Sequence, residues 1–211
     1  MALKAIILDF DGVLVESNNI KHRAFAEIFK DFPDHFEEMM EFHENHNHIP
    51  RDEKFRYFLK NLLGKADCEL QVQDMVARFR ELTRAKIIEC PYVAGAMDFI
   101  SGYSKVLPLY IASATPLDEL EIIIKARELD KYFLRIYGAP MKKSAMFIDI
   151  MKNDKFSSGE MLFVGDSLED YYVARDQGLA FVARSPNGDF KAPGVRTIKD
   201  FLGFKNIVGA V

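Results

Sequence analysis

The stretch KAIILDFDGVLVES, residues 4–17, runs from an apolar segment directly into two aspartates and a glycine. The apolar part has the length and composition of a buried strand. A carboxylate at the end of such a strand is costly unless it is paired or bound to a metal. Asp9 and Asp11 lie two positions apart, so in an extended chain their side chains point to the same side. The stretch is therefore either a strand with a solvated end or part of a functional site.

Four other short apolar runs have the same texture as residues 4–10. They lie at residues 106–113, 132–138, 161–165 and 179–183. Helical patterns separate the last four runs, at residues 117–130, 143–153 and 168–178. Strands that alternate with helices predict crossover units, and hence an α/β fold with a parallel sheet covered by helices on both faces.

Residues 16–90 interrupt this alternation. Four amphipathic patterns in this range predict helices, and no run in it is typical of a strand. We therefore predict an all-helical domain, residues 16–90, inserted into a core of residues 1–15 and 91–211. The segment CPYVAGA, residues 90–96, has the Pro and Gly expected of the returning linker.

Composition excludes several classes of protein. Hydrophobic residues make up 49% of the 211, and the net charge is −4, which argues against a disordered chain and against a nucleic-acid partner. With only Cys68 and Cys90, a disulfide framework is not expected. No apolar run reaches membrane-spanning length, and the first one meets Asp9 too soon for a signal peptide. We expect a cytoplasmic protein with no membrane partner; the oligomeric state stays open.

Polar side chains follow the later strands as well. In open parallel sheets, ligands bind beyond the carboxyl ends of the strands. The segments concerned are YIASATP (110–116) with Ser113, GAPMKK (138–143) with Lys142 and Lys143, and GDSLED (165–170) with Asp166 and Asp170. A hydroxyl and free backbone N–H groups could cradle a phosphate, and carboxylates with phosphate oxygens could hold Mg²⁺.

Each of these segments also has a simpler interpretation. Thr115 with Asp118 resembles a helix-capping box, with Pro116 at the first helical position. The two lysines could be a solvated surface pair. Ser167 or Asp166 could cap a helix in which Asp170 is a favourable first-turn acid.

Taken in chain order, the four segments DFDGVL, YIASATP, GAPMKK and GDSLED resemble the four motifs of the haloacid dehalogenase superfamily. The resemblance covers almost the whole chain, and the helical insert resembles the cap domain that follows the first motif in that family. It implies a Rossmann-like three-layer core, a mobile helical cap and a Mg²⁺-dependent phosphoryl-transfer site acting on a small phosphorylated metabolite.

The resemblance also implies roles for individual residues. Asp9 would be the nucleophile, and Asp11 the general acid and then the general base. Asp9, the backbone carbonyl of Asp11 and Asp166 would hold Mg²⁺, with Asp170 nearby. Ser113, the backbone of Ala114 and one lysine would bind the phosphate oxygens, and the GxPxxK spacing favours Lys143 over Lys142.

Asp11 narrows the chemistry within this family. Members that act as dehalogenases or phosphonatases do not carry an acid there, so Asp11 points to phosphate-ester chemistry. The resemblance favours a phosphatase, and a phosphomutase of the β-phosphoglucomutase type and a non-catalytic binding protein remain as alternatives. The tail Val15-Glu16-Ser17 is predicted to be a hinge.

The helical insert offers further candidate residues. His43, His46 and His48 could suggest a metal cluster, but no cysteine or placed carboxylate completes a zinc set, so we expect a solvated surface. Arg51, Lys54 and His48 are candidates to contact the leaving group, although we expect each on the surface.

Overall fold

Six parallel strands form one sheet in a computed structural model that describes residues 3–46 and 49–204. The strands are β1 (Ala5–Leu8), β2 (Leu109–Pro116), β3 (Arg135–Ala139), β4 (Met161–Gly165), β5 (Ala180–Arg184) and β6 (Arg196–Ile198). Their order across the sheet is β3-β2-β1-β4-β5-β6, and every pairing is parallel. The predicted α/β class with a parallel sheet is confirmed.

The central strand β1 is enclosed on both faces, since all four of its residues are fully buried. Leu8 is in register with Ile111 of β2 and with Val164 of β4. The residues that follow these positions therefore lie side by side at the carboxyl edge of the sheet. The chain leaves β1 toward β2 and β3 and returns to β4 on the other side, so this edge is the point where ligands bind in such sheets.

Four helices belong to the same unit as the sheet: α5 (Ala96–Tyr103), α6 (Leu117–Ala126), α7 (Lys143–Asp154) and α8 (Leu168–Gln177). Helix α7 packs its buried Phe147 against Phe163 of β4, with ring centroids 4.9 Å apart. Helix α8 contributes Ala174 to the same apolar cluster. The residues of β1 on the opposite face, Ile6 and Leu8, are equally buried, and the result is a three-layer arrangement.

Several details of the core differ from the sequence prediction. The second strand runs over Leu109–Pro116 instead of 106–113, and Val106 is exposed in the turn before it. Strand β6 and helix α5 were not predicted. Two of the three residues of β6 are exposed, so no apolar run marks it, and α5 follows the linker without a clear polar face.

The helical insert is a separate compact unit, Ser17–Glu89. Its helices are α1 (Asn18–Phe29), α2 (Phe36–Asn45), α3 (Arg51–Tyr57) and α4 (Glu69–Glu89), with a π-helical turn at Phe58–Leu62 and a 3-10 turn at Pro33–His35. No strand occurs among its described residues, 17–46 and 49–89. Its buried aromatic core contains Phe25, Phe29, Phe55 and Phe58, whose helical spacing is typical of core packing, together with Phe79.

The chain passes from the core unit to the insert after Glu16 and returns to the core unit at Cys90. Cys68 and Cys90 are buried free thiols. Among the described helices, none combines the length and the apolar character needed to cross a bilayer.

Candidate active site

Asp9 lies immediately beyond the carboxyl end of β1, where its backbone is still hydrogen-bonded to the sheet. Its amide donates to the carbonyl of Val164 at 2.9 Å. The carboxylate is buried, with 7% of the residue exposed. One oxygen, Oδ1, accepts from the amide of Phe10 at 2.6 Å, and the other, Oδ2, accepts from Nζ of Lys143 at 2.5 Å. Oδ2 is thus bound to a cation, the ammonium group of Lys143, which lies at the start of the helix after β3.

Asp11 has different partners because the chain turns directly after it. Gly12 adopts φ +70°, a conformation that other residues rarely take. The turn closes through the amide of Gly12, which donates to the carbonyl of Val15 at 2.9 Å. The carboxylate oxygen Oδ2 of Asp11 accepts from the hydroxyl of Thr115 at 2.8 Å. Asp9 and Asp11 therefore sit on one edge of the sheet with distinct hydrogen-bond partners, which suits two distinct chemical tasks.

The end of β2 supplies hydroxyl groups to this edge. Ser113 and Thr115 are both buried, and Oγ of Ser113 accepts from the amide of Thr115 at 3.1 Å. Ala114, between them, is exposed. The capping-box interpretation of this segment is wrong, because α6 begins at Leu117 with Pro116 at the N-cap position. Thr115 is too early to cap the helix, and its hydroxyl serves Asp11 instead.

Of the two lysines after β3, Lys143 is the one that reaches the edge of the sheet. Helix α7 begins at Lys143, and Lys142 is the exposed N-cap residue. Nζ of Lys143 contacts Asp9 and also Oδ1 of Asp170. Burial disfavours the charge on Lys143, but the carboxylates of Asp170 and Asp9 outweigh that effect and hold its pKa above the ordinary value. Lys143 is therefore a permanent cation between two acids.

The end of β4 is built around Asp170. Its Oδ2 accepts from the amides of Asp166 and Ser167, both at 3.3 Å, while its own amide donates to Oγ of Ser167 at 3.1 Å. The predicted helix cap is thus present, with Ser167 as the N-cap residue of α8. A Cβ at Gly165 would lie 2.6 Å from Oδ2 of Asp170, so only glycine fits there. The cap and the contact to Lys143 use the same carboxylate, so Asp170 joins α8 to the site.

Three carboxylates come together here. One oxygen each of Asp9, Asp166 and Asp170 lies within 4.8 Å of the others, the one such group of metal-ligating residues in the described chain. Burial raises the pKa of Asp9 to about 7; Lys143 lowers it, and the charges of Asp170 and Asp166 raise it. An all-oxygen set with excess negative charge is what Mg²⁺ prefers, so these residues fit that ion.

Two of the candidate residues in the insert are buried, whereas the sequence predicts them on the surface. His43 and Lys54 are buried instead of solvated, and Nζ of Lys54 lies 3.0 Å from Nδ1 of His43. Burial lowers the pKa of His43 to about 3 and that of Lys54 to about 8. Nδ1 of His46 lies 2.9 Å from the carbonyl of Phe42. No metal cluster forms among the described histidines, and His48 lies outside the described residues.

Arg51 packs its guanidinium 4.8 Å above the ring of Phe79, inside the insert. The residue at the site that sequence reasoning did not assign to it is Thr115. Its only signal was its position two residues after Ser113, which suited a helix cap equally well.

Comparisons with known proteins agree with this geometry. The family model described as haloacid dehalogenase-like hydrolase matches residues 6–184. No curated protein matches the chain.

Solved structures share the fold at low identity. CbbY from Rhodobacter sphaeroides, in complex with phosphate, is 20% identical with a TM-score of 0.75, covering 96% of each chain. YfnB from Bacillus subtilis, bound to magnesium, is 18% identical with a TM-score of 0.75, covering 99% of this chain and all of its own. A predicted phosphoglycolate phosphatase from Haemophilus somnus is 17% identical with a TM-score of 0.75, covering 97% of each chain.

Proposed function

The chain belongs to the haloacid dehalogenase-like hydrolases, and we propose that it is a Mg²⁺-dependent phosphatase that hydrolyses a small phosphorylated metabolite through an aspartyl-phosphate. The observation that carries this proposal is the contact of Lys143 with both Asp9 and Asp170, beside an Asp11 that is bound separately by Thr115. A buried carboxylate held by a lysine can act as a nucleophile, and a second acid two residues away can transfer the proton.

In the first step, a carboxylate oxygen of Asp9 attacks phosphorus, and the bond from phosphorus to the ester oxygen breaks. Asp11 gives its proton to that oxygen, so the alcohol leaves neutral. Lys143 and Ser113 would bind the phosphate oxygens, and the lysine would offset the charge that accumulates on them.

In the second step, Asp11 takes a proton from water, whose oxygen attacks phosphorus. The bond between phosphorus and Asp9 breaks, inorganic phosphate leaves, and both aspartates return to their starting states. Thr115 holds the carboxylate of Asp11 through both steps, because its hydroxyl donates to Oδ2.

Mg²⁺ would be held by Asp9, Asp166 and the backbone carbonyl of Asp11, with Asp170 next to these ligands. The bound ion would neutralise the repulsion between these carboxylates and the incoming phosphate. Asp170 already accepts from two backbone amides and from Lys143, so its part is to orient Lys143 and the turn at Asp166.

The test is hydrolysis of 4-nitrophenyl phosphate by the purified protein, with Mg²⁺ and with a chelator, beside Asp9→Asn. We expect turnover only with Mg²⁺ and none in the variant. A protein that shows no Mg²⁺-dependent turnover on this ester or on a panel of phosphorylated metabolites would refute the proposal. Turnover of a sugar phosphate only in the presence of a bisphosphate activator would indicate a phosphomutase instead. A cytoplasmic location stays a prediction from the sequence.

A further inference from the structure

Arg184 is a buried arginine at the carboxyl end of β5, on the same edge of the sheet as the site. Only 6% of the residue is exposed. Nη1 donates to the carbonyl of Gly12 at 3.0 Å and to Oε2 of Glu16 at 3.0 Å, while Nη2 donates to Oε1 of Glu16 at 2.6 Å. Nε donates to the carbonyl of Lys199 at 3.2 Å. A guanidinium is a planar, rigid fork, so these bonds fix its acceptors relative to one another.

Two of these acceptors, the carbonyl of Gly12 and the carboxylate of Glu16, lie at the two ends of one short loop, residues 12–16, that begins directly after Asp11. Inside the loop, the amide of Val15 donates to the carbonyl of Phe10 at 3.3 Å, and the amide of Glu16 donates to the carbonyl of Pro91 at 3.0 Å. Two residues of the predicted hinge Val15-Glu16-Ser17, Val15 and Glu16, are therefore hydrogen-bonded to the core. Gly12 at the start of the loop is the residue with the greatest backbone freedom, and it is the one whose carbonyl Arg184 binds.

We propose that Arg184 is a positioning residue that holds the loop directly after Asp11, and through it Asp11, in the geometry required for proton transfer. The inference rests on the proposed function, because proton transfer by Asp11 is part of it. Thr115 fixes the carboxylate of Asp11 from one side, and Arg184 fixes the backbone that follows Asp11 from the other. A displacement of about 1 Å is enough to cost a catalytic group much of its effect.

Leaving-group dependence separates this role from a purely structural one. 4-Nitrophenolate is a stable anion that leaves without a proton, whereas unsubstituted phenolate is more basic and benefits from a proton donor. The kcat/KM value covers only the steps up to departure of the leaving group, so later hydrolysis of the aspartyl-phosphate does not contribute. A misplaced Asp11 should therefore lower kcat/KM for phenyl phosphate more than for 4-nitrophenyl phosphate.

The experiment compares Arg184→Gln and Arg184→Lys with wild type on both esters. The matched control is Arg135→Gln, which removes another bidentate arginine–carboxylate pair, to Asp154 at 2.8 and 3.0 Å, at the opposite end of the strands. For Arg184→Gln we expect kcat/KM to fall about tenfold or more on phenyl phosphate and less than about threefold on the nitro ester. Arg184→Lys should show the same selectivity to a smaller degree, and the control should show none.

Amide hydrogen exchange over residues 10–16 gives a readout that does not depend on activity. We expect faster exchange there in both Arg184 variants and not in Arg135→Gln. Equal losses on the two esters, or unchanged exchange, in an active and folded Arg184→Lys protein would overturn the role of Arg184 alone. A wild-type protein inactive on both esters would overturn the proposed function, and this role with it.

Discussion

Replacing Lys143 by methionine tests the central ion cluster most directly. The substitution keeps the length of the side chain and removes its charge. Lys143 is 13% exposed as a side chain, and its partners Asp9 and Asp170 are 10% and 2% exposed. Removing one partner from a buried ion pair costs about 3–5 kcal/mol, because the other charge remains buried. We expect a loss of that size in the free energy of unfolding at pH 8 in metal-free buffer.

The loss should depend on pH, with a sign that the structure dictates. Lys143 lowers the pKa of Asp9, which burial and the neighbouring acids raise to about 7. Without Lys143 this pKa rises further, so Asp9 is protonated in the folded variant at pH 5 and its uncompensated charge disappears. Asp9 of the wild type also takes up its proton near pH 7, so the two proteins differ in protonation mainly between pH 8 and pH 7. One pKa unit corresponds to about 1.4 kcal/mol, and we expect the difference in unfolding free energy between wild type and variant to narrow by up to about that amount from pH 8 to pH 5.

The assay is urea denaturation followed by far-ultraviolet circular dichroism, since the chain has no tryptophan to report unfolding. Lys142→Met is the matched control: the neighbouring lysine is exposed, and we expect a change within about 0.5 kcal/mol. Addition of Mg²⁺ should restore part of the stability of Lys143→Met. A variant as stable as wild type at pH 8, or a gap that does not change with pH, would show that the cluster is not held by Lys143.

Three further predictions concern neighbours of this cluster. Thr115→Val removes the hydroxyl that donates to Asp11. Because a hydrogen bond to a charged group contributes about 1.5–3 kcal/mol, we expect kcat/KM on phenyl phosphate to fall about tenfold. Thr115→Ser keeps the hydroxyl and should stay close to wild type. Gly165→Ala places a Cβ 2.6 Å from Oδ2 of Asp170; we expect a loss of about 1–3 kcal/mol in thermal denaturation, and an unchanged Tm would contradict the packing described. Burial raises the pKa of Asp9 from an ordinary 3.8 to about 7 in the folded protein, so folding takes up a proton between these pH values. In metal-free buffer, the free energy of unfolding of wild type relative to Asp9→Asn should therefore fall as pH rises from 4 to 7. Parallel pH profiles of the two proteins would argue against a raised pKa.

Much of the fold was predictable because its signals are local. Residues 5–8 and 161–165 are apolar runs that are fully buried in the sheet, and the alternation of such runs with helical segments predicts parallel strands. Strand β6 was missed because it is short and mostly exposed, with only Ile198 of its three residues buried. Its place in the sheet depends on pairing with β5, which no local pattern encodes.

The residues of the candidate site were predictable as types and positions, but their pairing was not. Lys143 and Asp170 are 27 residues apart, and nothing in either segment says that one carboxylate accepts from both the lysine and the turn at Asp166. Thr115 was assigned to a helix cap because its partner, Asp11, is 104 residues away in the chain. Likewise, Lys54 and His43 looked like surface residues, since a polar side chain gives no sign that it will be buried.

The central position of β1 has a consequence for the order in which the chain can fold. Residues 5–8 are made before the rest of the sheet, yet their partners begin at Leu109 and Met161. The insert, in contrast, builds its aromatic core from residues 25–79 alone. During synthesis we expect the insert to form its core early, because its contacts are close in sequence. Strand β1 can pair only after most of the chain has been made, since its partners are distant in sequence. Asp9, directly after this strand, would thus be among the last residues of the site to meet their partners, since Lys143 lies 134 positions later.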